Sequence, residues 1–252
     1  MQQITSKENQ IIKHIIKLKE KKYRKEYNEY IIEGAKIVQE AIQEKAKIKQ
    51  IIISENSINT ELIQKYLKEE LQKINYIQVP QNIFKLISEV EKPQGVLAII
   101  EKNNKGEDIN LNQEIILALD DLQDPGNLGT IIRTADSVGL KQILISKGTT
   151  DPYNPKVIRS TMGAIFRVNI IECENLKEIL KKLKNINFKV MVTDLNTDKS
   201  IYDIKLQKNV IIIGNEANGV SEEIKQMADT RVVIPMFGKT ESLNASVATG
   251  VI

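Results

Sequence analysis

Five short runs in the second half of the chain are apolar almost without a break: "IILAL" (115–119), "QILIS" (142–146), "FKVMVT" (188–193), "VIIIG" (210–214) and "RVVIP" (231–235). A strand with one wet face alternates polar and apolar residues, whereas a continuous run needs cover on both faces. In practice that means a parallel sheet with crossover helices packed on either side. Residues 114–252 are thereby restricted to an open α/β domain. Before them, "YIIEG" leads into a helix over 35–45, and "IKQIIIS" precedes another near 61–73. "NYIQVP" and "GVLAII" then read as further strands, so 1–105 forms a smaller α/β domain. Between the two, "EKNNKGEDINLNQ" is polar and aperiodic, and a linker is expected over 106–113.

Composition excludes several functions. No apolar run approaches the length of a membrane span, and the amino terminus lacks the apolar core of a signal peptide, so a cytoplasmic protein without a membrane partner is expected. The single cysteine, Cys173, precludes an internal disulfide and a cysteine-based metal cluster, and the single histidine, His14, removes most histidine chemistry. No metal is expected. The net charge is only +3, but residues 1–105 hold 19 Lys/Arg against 14 Asp/Glu, and the remainder 17 against 19. The basic excess is densest in "KHIIKLKEKKYRKEY", where Lys13, Lys17, Lys19, Lys21, Lys22, Arg24 and Lys25 are opposed only by Glu20 as far as Lys25. By itself such a run is either a solvated helix face or a nucleic-acid contact.

In an open parallel sheet, ligands bind beyond the carboxyl ends of the strands. Three polar clusters fall there. In "DDLQDPGNLGTIIRTADSVG", Asp124-Pro125-Gly126 forms a turn, a helix starts near Asn127, and Arg133 follows almost two turns later. In "GNEANG", Gly214 ends an apolar run and Glu216 follows it directly. In "IPMFGKTESLNASVATG", Glu241, Ser242 and Asn244 precede a helix of small residues that Ser or Asn would cap. Neither a Walker loop nor a G-x-G-x-x-G fingerprint is present. Amides, backbone N–H groups freed by Gly and Pro, one glutamate and one arginine suit a polar, zwitterionic or heterocyclic ligand better than a metal or a triphosphate.

These clusters also have a family likeness. N-x-G-x-x-x-R at 127–133, G-N-E-x-x-G at 214–219 and I-P-M-x-G-x-x-E-S-L-N-x-S-V-A at 234–248 resemble, in order and spacing, the three motifs of the SpoU (TrmH) family of RNA 2'-O-ribose methyltransferases, in the SPOUT superfamily. The segment "ITSKENQIIKHIIKLKEKKYRKEYNEYIIEGAKIVQEAI" is similar to the L30e-like substrate-binding domain of the branch that acts on rRNA. The resemblance implies a parallel-sheet domain with a trefoil knot behind a small L30e-like α/β domain, a homodimer, and S-adenosylmethionine as methyl donor. It implies that Gly214, Ile234 and Leu243 surround the adenosine, that Met236 and Gly238 shape the same loop, and that Glu216 fixes Asn127. Arg133, Asn127, Ser242 and Asn244 would stand nearest the chemistry. Lys13, Lys17, Lys21, Lys22 and Arg24 become RNA contacts, most naturally to rRNA.

The family's usual assignment makes that arginine the base, yet a guanidinium stays protonated, and a clamp on phosphate and incipient alkoxide is the alternative. The family usually carries its last helix beyond the position of Ile252, so either the natural protein is short or the sequence is a truncated form. A tRNA ribose methyltransferase, or a non-catalytic RNA-binding or ribosome-assembly protein of the same fold, are the other readings.

Overall fold

The computed structural model describes residues 2–102 and 108–252. They pack as two compact units, one formed by residues up to 102 with Tyr153–Phe166, the other by residues from 108 to Pro152 with Arg167–Ile252. Residues 153–166 lie, in sequence, inside the stretch expected to form the second domain.

The first unit contains β1 (Gln2–Gln3), α1 (Gln10–Leu18), α2 (Lys21–Tyr27), β2 (Glu29–Glu33), α3 (Ala35–Gln43), β3 (Ile48–Ser54), α4 (Glu61–Leu67), β4 (Tyr76–Val79), α5 (Gln81–Ile87) and β5 (Val96–Glu101). Its mixed sheet runs β1-β4-β3-β5-β2, with β5 antiparallel to both neighbours. Ile12, Ile15 and Leu18 recur at helical spacing along α1 and enter a core with Ile52, Ile77, Phe84 and Leu97. The second unit supplies β6 (Ile115–Leu119), α6 (Pro125–Ser137) and β7 (Gln142–Ser146), after which α7 (Pro155–Thr161) leaves it and packs against β2. Tyr153 packs at a tilt against Tyr30 in that excursion, with ring centroids 4.8 Å apart. The chain returns as β8 (Asn169–Cys173), α8 (Leu176–Asn185), β9 (Lys189–Thr193), β10 (Asn209–Ile213), α9 (Glu222–Lys225), β11 (Thr230–Val232) and α10 (Ala245–Val251).

The second sheet is parallel throughout, in the order β11-β9-β10-β6-β7-β8. All five residues of β10 are buried, as a strand covered on both faces requires. One face packs Val190, Val192, Val210 and Ile212 against Leu176, Leu180 and Leu183 of α8. Several boundaries differ from the sequence reading: the helices expected over 35–45 and near 61–73 end at Gln43 and Leu67, and three further differences have local causes. Helix α6 begins at Pro125 rather than near Asn127, because Asp124 caps it by accepting the N–H of Asn127 at 2.8 Å, and proline suits the first helical position. Strand β11 stops at Val232; Val233 turns its N–H to the carbonyl of Lys199, ahead of Pro235, which has none to offer. The expected linker lies partly outside the described residues. Its described part is fastened, with Gln142 bonding the backbone N–H and C=O of Asn110 at 2.8 and 2.7 Å.

One expected RNA contact is corrected. Arg24 is 2 % exposed, and its guanidinium donates to the carbonyls of Leu18 and Lys19, the free acceptors at the end of α1. It is a helix cap. Lys13, Lys17, Lys21 and Lys22 do lie outside the core, with Lys17 and Lys22 each 5.5 Å from the Tyr23 ring centroid. Replacing Arg24 with Ala strands two carbonyls and should destabilise the first unit by about 1–3 kcal/mol, measured by urea unfolding. Unchanged stability would show that the two carbonyls find other donors and that the cap is dispensable.

Candidate active site

Four adjacent strands, β11, β9, β10 and β6, end at one edge of the second sheet, and the segments after them are stitched together by side chains. Buried Asp120, the first residue past β6, accepts the N–H of Ser221 at 2.9 Å. Asn215, after β10, donates to the carbonyl of Asp121 at 2.8 Å and accepts the N–H groups of Ala217 and Asn218. Glu216 carries the largest share. Its Oε2 accepts from the backbone N–H of Gln123 at 3.0 Å, and its Oε1 accepts from the N–H of Asp124 at 3.0 Å and from Asn127 Nδ2 at 2.9 Å. The carbonyl of that Asn127 side chain accepts from Asn244 Nδ2 at 2.8 Å, and Asn244 Oδ1 caps α10 through Ser246 and Val247. A carboxylate on one loop thus fixes, through two amides, the start of the last helix.

Gly214 is dictated by the close return of its own loop. A Cβ there would lie 2.1 Å from the carbonyl carbon of Gly219 and 2.2 Å from the nitrogen of Val220, both backbone atoms that cannot swing aside. Asn215 and Gly219 exchange both backbone hydrogen bonds across this turn, and Gly219 sits at φ +68°, where a side chain is strained.

The stitched loops enclose a cleft of about 460 Å³ within the second unit. Of the residues expected at the cofactor, Gly214, Ile234, Met236 and Leu243 line it, and Gly238 does not. Glu216, Ser242 and Asn244 line it as well; Asn127 is buried behind it, bonded to two of its wall residues. Arg133 stands apart. At about 100° per residue it is turned some 120° round α6 from Asn127, and it is exposed, with no hydrogen bond or ion pair among the described residues. The sequence reading missed the wall after β9, Thr193 to Asn196, in which buried Asp194 accepts the N–H of Asn196 and pairs with Arg231. The polar "TDLN" directly after an apolar run at the same sheet edge was the available signal.

The lining places carboxylates of Asp194, Glu216 and Glu241 beside apolar Ile234, Leu243 and Val233, with Lys225 as its cation. Burial acts first to raise the Glu216 carboxyl, but the donors from Asn127, Gln123 and Asp124 outweigh it and hold it below the ordinary value of 4.5. No group of three or more His, Cys, Asp or Glu side chains able to hold a metal exists among the described residues.

A parallel sheet with a preorganised, apolar-walled cleft at its carboxyl edge defines an α/β protein built to hold an organic ligand. The profile of the SpoU rRNA Methylase family matches residues 114–252, and that of the MRM3-like substrate binding domain matches residues 9–98. The 23S rRNA (guanosine(2553)-2'-O)-methyltransferase RlmP of Bacillus subtilis is 33% identical over 254 residues, covering 100% of this chain and 98% of its own. Among solved structures, the AdoMet-bound rRNA methyltransferase of Sinorhizobium meliloti superposes with a TM-score of 0.85 at 31% identity, covering 99% of this chain and 95% of that one. An RNA 2'-O ribose methyltransferase superposes at 0.83 with 28% identity, covering the same shares. The chain belongs to the SpoU family of S-adenosylmethionine-dependent RNA methyltransferases.

Two outcomes are expected. Gly214→Ala should abolish S-adenosylmethionine binding in calorimetry, because the new methyl meets backbone on two sides; retained affinity would show that the loop can open. Because its carboxyl is depressed when folded, Glu216 contributes stability that is present above about pH 4.5 and is lost as pH falls through the lower folded value. Glu216→Gln should flatten that acid limb in thermal unfolding, and an identical limb would contradict the assignment.

Proposed function

We propose that this RNA ribose 2'-O-methyltransferase acts on large-subunit ribosomal RNA, as a cytoplasmic homodimer whose active sites are shared between protomers. The observation that carries the reading is the relay from Glu216 through Asn127 to Asn244 beside a cleft of the right chemistry. Whole-length similarity to a 23S rRNA enzyme, together with a substrate-binding domain in front, favours rRNA over tRNA.

The cleft fits S-adenosylmethionine. Its volume lies in the range of small-molecule sites. Its apolar walls at Ile234 and Leu243 suit an adenine ring, Gly214 and the turn after it bring backbone close, and three carboxylates favour a sulfonium over a phosphate chain. When bound, the cofactor supplies a methyl group made electrophilic by the adjacent positive sulfur. The chain's own contribution is to hold and polarise the ribose. Neither His nor Cys is present in the three clusters, so a side chain titrating near neutrality is missing there. In this reading Ser242 and Asn244, which line the cleft, orient a hydroxyl, while the guanidinium of Arg133 clamps the neighbouring phosphate and the developing alkoxide.

The position of Arg133 supports sharing between protomers: it faces away from the relay of its own chain, so a partner's cleft is its natural destination. Threading of the segment after β11 behind the 214–221 loop, the trefoil knot of the family, accords with α10 packing back on α6. The basic stretch at Lys13, Lys17, Lys21 and Lys22, with Tyr23 between, serves the RNA backbone.

The test is single-turnover methyl transfer from S-adenosylmethionine to unmodified 23S rRNA transcripts, with the product located as a 2'-O-methyl. Arg133→Ala should lower the rate by roughly a hundredfold, and Arg133→Lys, which keeps the charge and loses the fork, by less. A Lys variant with a pH profile displaced towards neutrality would make the arginine a base. Methylation of tRNA transcripts alone would overturn the rRNA assignment.

A further inference from the structure

The first unit has a cleft of its own, about 390 Å³ in volume and separate from the cofactor cleft. Its walls come from four stretches distant in sequence: Glu33 and Lys36 where β2 passes into α3, Leu62 and Tyr66 one turn apart on α4, Lys92 ahead of β5, and Arg159 on α7. Gly34, between the first two, sits at φ +123°, a conformation that lets the chain turn there without a side chain in the opening.

The charges of this cleft are unbalanced in a particular way. Its two carboxylates are committed to the protein. Glu33 Oε1 accepts from Ser88 Oγ at 2.5 Å and its Oε2 from the N–H of Glu89 at 3.1 Å. Glu40 lies so close against the turn at Gly163, itself at φ +90°, that a Cβ there would come 1.7 Å from its Oε2. Lys36, Lys92 and Arg159 are exposed, and each lacks a hydrogen bond or ion pair from its side chain among the described residues. Three cations brought from three elements to one concavity, with the local carboxylates already engaged, attract an anion of some extent. Leu62, 42 % exposed, and the half-buried Tyr66 make an apolar shelf beside them. A shelf with an aromatic face flanked by cations is how an unpaired base and its phosphates are held, since every base has a π-face and duplex RNA hides its base edges.

We propose that this cleft seats one unpaired nucleotide of the RNA substrate, its base against Tyr66 and Leu62 and its flanking phosphates against Lys36, Lys92 and Arg159. The assignment rests on the rRNA reading above and extends it to a second contact, away from the basic stretch of α1 and α2. It also gives a use to the excursion of residues 153–166: without it Arg159 would be absent and the cleft would lack a wall.

The experiment is binding of transcribed, unmodified 23S rRNA fragments over a range of salt concentrations, with calorimetric S-adenosylmethionine binding as the check on folding. The triple variant Lys36→Ala, Lys92→Ala, Arg159→Ala should reduce the slope of log affinity against log salt by about 2, since three phosphate contacts on a single strand release roughly that many counterions. Tyr66→Ala should weaken binding on the order of tenfold, and Tyr66→Phe, which keeps the ring, should bind as the parent does. If the triple variant loses S-adenosylmethionine binding, Arg159→Gln alone carries the test, with a slope change of about 0.7. An unchanged slope, or Tyr66→Ala equal to the parent, overturns the cleft assignment. A parent protein that binds the cofactor and no rRNA fragment removes the rRNA reading itself and this assignment with it.

Discussion

The carboxylate of Glu216 accepts three hydrogen bonds from the residues between β6 and the first turn of α6, and the shape of the active edge depends on that contact. Strands β6 and β10 are neighbours in the sheet, but the ladder ends at Leu119 and Ile213, and beyond it backbone pairing no longer sets the spacing of the chains. Loops that must offer free N–H and C=O groups to a ligand cannot also bond each other fully. A side chain that gathers several donors at once resolves this conflict, and a carboxylate does so better than an amide because it accepts at both oxygens. The amide of Asn127 passes the constraint on, donating to the carboxylate and accepting from Asn244, so that the first turn of α10 is positioned from a loop far away in sequence.

Two further features serve the same edge. Asp120 and Asp194, the residues that follow β6 and β9, are buried: Asp120 accepts the N–H of Ser221 from the loop after β10, whereas Asp194 accepts that of Asn196 in its own loop and pairs with Arg231. Of these acidic anchors Asp194 and Glu216 also line the cleft, so groups that fix the loops lie on its wall. Gly214 supplies the steric counterpart: the backbone of Gly219 and Val220 passes where its side chain would be, drawing the loop in tightly enough to form a wall.

How much of this could be read in advance depended on the kind of signal. The buried strands 115–119 and 142–146 were found at their observed limits, because a continuous apolar run is an unambiguous consequence of two covered faces. Strand β8 at Asn169–Cys173 was missed; it lies at the sheet edge, is only partly buried, and its short "NIIEC" carries no such run. Asn127, Glu216 and Asn244 were legible as motif residues, but the hydrogen bond that carries the constraint on from Asn127 to Asn244 left no mark in the sequence. Arg24 was not legible, since a basic residue among lysines looks the same in sequence whether it faces water or caps the helix before it. The joining of residues 153–166 to the first unit was equally hidden, because the packing of one segment on another distant in sequence leaves no local periodicity.

The disposition of α6 sets the terms for catalysis. Asn127 and Arg133 occupy one helix, yet Asn127 must point inward to hold Asn244, and the helical repeat then commits Arg133 to a different direction, out to solvent. The guanidinium therefore does not share the face from which Asn127 reaches the relay of its own chain. Either the arginine takes no part in the reaction or the reacting ribose is presented to it from outside the chain. The surroundings favour the second. Val138 at the end of α6 and Val247 and Val251 on α10, which packs against it, are 68, 52 and 42 % exposed, an amount of apolar surface on two contacting helices that association with a second copy would cover. An isologous contact through these helices would carry each Arg133 with it towards the partner, so that the same inward turn of Asn127 that rigidifies one site would deliver the charge to the other.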